Sequence, residues 1–237
     1  MARERLSNAI VSDYLRMIGG GEIAPGSSLP PESTLCETYG VGRSVVREAL
    51  QALDAKGFII VRQGSVAAVA PRYQWHVLDQ EFLAVNSGEE FFALLQEARE
   101  VLEPQLAAVA AQRATPEALA EMESINDQLE AVKDSPERHA ELDIAFHDAL
   151  ARATDNAILV SMHASITGLG HRTRAAASSV PGAIDRAVMW HRQIIEGVRA
   201  QDAPSASAAM LLHMRQVRGE LIVIDTVRPA DDGGRRR

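Results

Sequence analysis

Residues 29–53 read LPPESTLCETYGVGRSVVREALQAL. Two segments with helical apolar spacing, 31–39 and 44–56, flank the corner Gly40-Val41-Gly42-Arg43, which is the layout of a helix-turn-helix. In the second segment Val45, Val46, Ala49, Leu50 and Leu53 form an apolar stripe, and Arg43, Ser44, Arg47 and Gln51 project elsewhere. A helix that opens with arginines can enter the major groove, where the guanidinium fork fits guanine O6 and N7 or grips phosphate. The stretch therefore predicts DNA binding.

Upstream, residues 5–18 carry Leu6, Ile10, Tyr14 and Ile18 at intervals of four and stop at Gly19-Gly20-Gly21. This is an amphipathic helix expected to pack behind the pair. Pro30-Pro31 followed by Glu32 suits a helix start with an acid in its first turn. Downstream, Gly57 ends the second helix, and 58–61 and 66–69 are short apolar strands around Arg62-Gln63-Gly64-Ser65, a wing-like hairpin. Residues 70–79, APRYQWHVLD, join this part to the rest. Trp75 and Leu78 are large for a free linker and are expected to dock on a domain.

From residue 88 onward the chain reads as successive apolar-striped helices at 91–111, 116–132, 136–153, 157–177, 182–200 and 203–225, divided by Thr/Pro, Ser/Pro, Asp/Asn, Pro/Gly and Asp/Pro breaks. The predicted fold is mainly α: a winged helix-turn-helix of three helices and a β-hairpin, then an antiparallel all-α bundle of about six to seven helices. The predicted divisions are 1–70 for DNA binding, 71–87 for a linker and linker helix, 88–226 for the bundle, and a disordered tail at 227–237.

Composition fits this division. The net charge of −8 is awkward for a DNA binder, but residues 1–75 hold 8 Lys/Arg against 7 Asp/Glu, leaving 24 − 8 = 16 against 32 − 7 = 25, or −9, for the remainder. The acidity lies outside the motif, whose own near-neutral charge does not predict strong non-specific binding. The one cysteine, Cys36, excludes an intrachain disulfide and reads as a small apolar residue in a reducing compartment. Charged and polar residues interrupt the N-terminus, and no apolar run approaches the roughly 20 residues of a membrane span, so a cytoplasmic protein is expected.

Together, the strings LPPE..L, YGVGRSVVREAL..L...GFI and the RQG hairpin resemble the winged-helix domain of the GntR family of bacterial transcription regulators, with continuous spacing over residues 6–69. The resemblance implies that Arg43 and Arg47 read bases or adjacent phosphates, that Ser44 supports the backbone contact, and that Gly64 lets the wing approach the minor groove. Three positions depart from the family pattern. Ser33 replaces a frequent arginine, Gly42 a usual Ser or Thr helix cap, and Val66 a second wing glycine. For Arg47 the competing reading is an ion pair within the domain, with Glu48 or Asp54. The string PRxxWxxLD also resembles the branch that responds to sugar acids such as galactonate.

In the bundle, Asp143 and His147 are four apart and share a helix face, and His191 and His213 lie on the last two helices. One carboxylate and three imidazoles could hold Zn, Ni, Mn or Fe with positions left for water or ligand oxygens. On composition alone His139, His163 and His171 serve equally well. The pattern LDIAFHDALARATDNAIL, WHRQIIEGVRAQD and MLLHM resembles the FadR-type C-terminal ligand-binding domain, FCD, in its metal-containing form, over residues 90–222. The resemblance implies Asp143, His147, His191 and His213 as ligands of a divalent metal, zinc first. It also implies that Arg99, otherwise an i, i+4 partner of Glu103, holds an effector carboxylate. Asn156 either lines that site or caps the next helix.

These readings combine into a homodimeric repressor on a palindromic operator, released when a small carboxylate or sugar acid binds the bundle and repacks the linker helix. The competing readings are a metal-dependent hydrolase or lyase, which lacks a clear general base, and a direct metal sensor.

Overall fold

The computed structural model describes residues 2–62, 66–86, 89–132, 135–167 and 171–227. It divides into two compact units, Met1–Gly88 and Glu89–Arg237. Gly64 and the tail expected at 227–237, beyond its first residue, lie outside the described residues.

The first unit holds helices α1 (Ala2–Gly19), α2 (Glu32–Tyr39) and α3 (Arg43–Ala55). Strands β1 (Ile59–Ile60) and β2 (Ala68–Val69) follow and pair antiparallel, Ile59 opposite Val69 and Ile60 opposite Ala68. The corner between α2 and α3 depends on Gly40, which is left-handed (φ 63°) and whose N–H donates to Cys36 O, the arrangement that ends a helix at low steric cost. Gly42 is the N-cap of α3 and offers no side-chain bond, a role glycine tolerates with a loss of only a few tenths of a kcal/mol. The stripe Val45, Val46, Ala49, Leu50, Leu53 is buried, as are Ile10, Leu15 and Ile18 of α1, the helix on which α3 packs. Leu6, predicted on the apolar face of α1 with Ile10, Tyr14 and Ile18, is 47% exposed, whereas Val11 and Leu15 of that helix are buried.

The segment expected as a linker forms part of this unit. Trp75 donates its indole N–H to Ala70 O (2.8 Å) and its ring lies 5.7 Å from Phe58. Helix α4 (Gln80–Val85) stacks Phe82 on Phe58 at 4.7 Å. Ser12 Oγ donates to Glu81 Oε1, and Asn86 Nδ2 donates to Leu15 O. Leu78 does not dock; it is 47% exposed. Gly57 makes the crossing feasible, because at φ 74° a Cβ there would stand 2.1 Å from Gln74 O.

The second unit contains α5 (Glu89–Arg113), α6 (Pro116–Ala131), α7 (Pro136–Arg152), α8 (Ala157–Thr167), α9 (His171–Ser178), α10 (Ala183–Arg199) and α11 (Ala203–Val227). Its core joins Met122, Leu129, Phe146, Leu150, Ile194, Ile195, Val198, Met210 and Met214. Thr115 and Ser135 cap α6 and α7 through their hydroxyls. The helix predicted at 157–177 is two helices among the described residues, one ending at Thr167 and the next beginning at His171; the sequence between them holds two glycines, and glycine disfavours a helix interior by about 1 kcal/mol relative to alanine. α9 thereby becomes an independent element packed on α7 and α11. Among the described residues no helix is long and apolar enough to cross a membrane.

Candidate functional site

Helices α7, α10 and α11 bring Asp143, His147, His191 and His213 to one point. All four are buried, and one potential ligand atom from each lies within 4.8 Å of the others. His213 Nε2 is 3.2 Å from His191 Nε2 and 3.3 Å from His147 Nε2. Asp143 Oδ1 lies 3.4, 3.7 and 4.0 Å from the Nε2 atoms of His191, His147 and His213. Four ligands at about 2.0–2.1 Å around one tetrahedral ion stand roughly 3.3 Å apart, so the donors have the spacing of atoms sharing an ion. Burial, then the neighbouring His213, holds the pKa of His191 well below its usual value. Burial and then His147 push that of His213 down to about 3. Both are therefore neutral imidazoles at pH 7, the form that coordinates.

The surrounding groups orient these donors. Glu103 Oε2 lies 2.6 Å from His147 Nδ1, and Gln216 Oε1 lies 3.2 Å from His213 Nδ1, which turns each Nε2 inward as outer partners of metal-bound histidines do. Burial opposes charge on His147, but Glu103 and Asp143 outweigh it and raise its pKa. Arg174 of α9 donates Nη1 to Asp143 Oδ2, leaving Oδ1 facing the three imidazoles. Burial opposes ionisation of Asp143 and Glu103, yet Arg174 in the first case and Arg99 in the second hold them well below the ordinary carboxylate range. The cluster is compatible with a bound metal ion.

Beside it is a cavity of ≈ 20 Å³ lined by Arg99, Asp143, Arg174, His213, Gln216 and Glu220 among others, room for about one water. Arg99 is buried and is no surface ion pair. Its Nε donates to Glu103 Oε1 at 2.6 Å and its Nη1 to Gln96 Oε1 at 3.2 Å, while Nη2 has no partner among the described residues. Asn156 does not line the cavity. Its Oδ1 accepts from Ile158 N and Leu159 N and so caps α8. Of the alternative histidines, His139 meets Ser178 Oγ and His163 meets Asp148; the side chain of His171 lies outside the described residues. Sequence reasoning missed Arg174, because it lies in the stretch read as one continuous helix.

On the first unit, Arg43, Ser44 and Arg47 are exposed along the open side of α3. Arg47 Nε is 2.9 Å from Glu32 Oε2 of α2. The ion pair weighed against DNA contact thus exists, with a different acid from the two named.

Residues 6–69 match the bacterial regulatory proteins of the gntR family, and residues 94–216 match the FCD domain. The chain belongs to the GntR family and carries an FCD domain. It is 30% identical over 210 residues to the galactonate operon transcriptional repressor of Escherichia coli (strain K12), covering 86% of this chain and 92% of that one. It is 31% identical over 210 residues to the HTH-type transcriptional regulator LutR of Bacillus subtilis (strain 168), covering 85% and 94%. Among solved structures, Streptococcus agalactiae GntR aligns with TM-score 0.51 at 29% identity, covering 90% of this chain and 99% of that one. A GntR-family chain of this layout is a DNA-binding transcription regulator, and the hydrolase or lyase alternative falls away.

Proposed function

We propose that this regulator holds one divalent metal ion on Asp143, His147, His191 and His213, and that a small carboxylate or sugar acid bound beside it controls operator binding. The convergence of three imidazole Nε2 atoms and one carboxylate Oδ1 in the bundle core supports this. Zinc suits the nitrogen-rich donor set best, with Ni, Mn and Fe as alternatives. The ion would supply positive charge and open positions for ligand oxygens. Arg99 would contribute its unpartnered Nη2 to the acid's carboxylate, a charge-assisted bond. Glu103 keeps His147 and Arg99 in place from one carboxyl group.

The regulator acts as a cytoplasmic homodimer, a repressor on a palindromic operator, with Arg43, Ser44 and Arg47 of each α3 facing the major groove. The acid changes DNA affinity only to the extent that it binds one arrangement of the protein better than the other. A mobility-shift titration on the promoter region beside its own gene tests the scheme, run with metal-loaded protein, with chelator, and with sugar acids added. Release by galactonate or a related acid only in the presence of metal is the expected result. Release by chelator alone, with no response to any acid, would instead identify a direct metal sensor.

A further inference from the structure

The cavity beside the metal cluster contains a second guanidinium that the carboxylate reading does not use. Arg174 is 4% exposed and spends only Nη1, on Asp143 Oδ2. Its Nε and Nη2 are buried with no partner among the described residues, and the residue lines the cavity. Nε and Nη2 form the side edge of the guanidinium, where two parallel N–H groups match the two oxygens of a carboxylate. Leaving charged donors buried and unsatisfied is costly, so an edge held in this state is a receptor for an anion. Arg99 cannot offer the same edge, since its Nε is already on Glu103 and only Nη2 remains.

Charge balance points the same way. The guanidiniums of Arg99 and Arg174 offset the carboxylates of Glu103 and Asp143, and Arg186 offsets Glu220 through contacts of 2.8 and 3.2 Å. A histidine must be unprotonated to coordinate, so a divalent ion on these ligands leaves two positive charges in a buried site. A monoanion neutralises one of them and a dianion both.

The geometry points to a dicarboxylate as the effector, with one carboxylate at the metal and Arg99 and the other gripped by the Nε/Nη2 edge of Arg174; at ≈ 20 Å³ the cavity is smaller than any diacid, so binding requires the lining side chains to separate, and the diacid favours that arrangement. This rests on the metal-and-acid reading above and adds the second anchor. Hydrogen bonds to charged groups contribute about 1.5–3 kcal/mol, or roughly 10–150-fold in affinity, and that is the preference expected over a monoacid of the same chain length.

The test is calorimetric titration of the full-length, zinc-loaded protein with two matched pairs, 2-hydroxybutyrate against malate and galactonate against galactarate. At least one diacid should bind roughly tenfold or more tighter than its monoacid partner. In Arg174→Lys, which keeps the charge and loses the fork, that preference should shrink severalfold when both proteins are compared at saturating zinc. The wild-type comparison needs no variant, so it stands if Arg174→Lys folds poorly. Equal or tighter binding of the monoacid in both pairs would overturn the second anchor and leave the metal-and-acid reading intact. A preference undiminished in folded Arg174→Lys would overturn the assignment to Arg174. Failure of all four acids to bind would overturn both readings.

Discussion

Truncating Arg47 to alanine distinguishes a side chain that reads DNA from one that braces the helix-turn-helix. Its partner Glu32 is 2.9 Å away, but the two side chains are 64% and 38% exposed. An exposed pair of this kind contributes about 0.2–1 kcal/mol, so Arg47→Ala should lower folding stability by no more than about 1 kcal/mol. The same small cost is what Arg47 must overcome to leave Glu32 for DNA. A base-edge contact discriminates by about 1–3 kcal/mol, and each phosphate contact contributes about 0.9 to the slope of log affinity against log salt. In a symmetric dimer both effects occur at two half-sites. Arg47→Ala should therefore weaken operator binding by tenfold or more, with a shallower salt slope if the contact is to phosphate. Glu32→Gln removes both the competitor and a carboxylate beside the DNA face, so it should keep or raise affinity. Fluorescence anisotropy on labelled operator at several salt concentrations measures these terms, with urea melts in parallel. Wild-type affinity and slope in Arg47→Ala, or a stability loss above about 2 kcal/mol, would refute the reasoning.

Metal removal should destabilise the second unit: at 100 times its dissociation constant a bound ion adds about 2.7 kcal/mol. Chelation should then lower Tm by roughly 5–10 °C, and added zinc should restore it; an unchanged melt with measured loss of metal would contradict the site. Gly197→Ala should also destabilise. A Cβ there would stand 2.6, 2.8 and 2.9 Å from N, Cα and Cβ of Ala206, and overpacking of about 1–3 kcal/mol exceeds the helix-propensity gain of about 1 kcal/mol. A higher urea midpoint would show that α10 and α11 separate easily. Finally, the Tyr39 hydroxyl donates to Asp13 Oδ2 at 2.6 Å and is the largest influence holding the Asp13 pKa below 3.8. Its contribution is complete above 3.8 and is lost as pH falls through the lower folded value. Tyr39→Phe should cost about 0.5–1 kcal/mol at pH 7, with the difference from wild type closing in acid; a gap that persists at pH 2 would assign the loss to packing.

The sequence by itself determined the features that local periodicity encodes. The stripe Val45 to Leu53, Gly40 at the corner and the Thr-Pro and Ser-Pro helix starts each depend on neighbours within a turn or two. Those elements form where expected, with seven helices in the second unit among the described residues. The residues also supplied several candidate histidines, among which spacing could not choose. Only the tertiary structure brought His147, His191 and His213 to a common point with Asp143, from three helices and up to seventy positions apart in sequence. It placed Trp75 and α4 on the first unit, gave Asn156 to the cap of α8, and committed Arg99 Nε to Glu103. Arg174 was invisible in the sequence for the same reason. An arginine on a short helix has no periodic signature, and its meaning depends on what faces it across the bundle. Helix formation is settled over a few residues, whereas the burial of a charge is settled by long-range packing, and the candidate chemistry of this regulator lies in its buried charges.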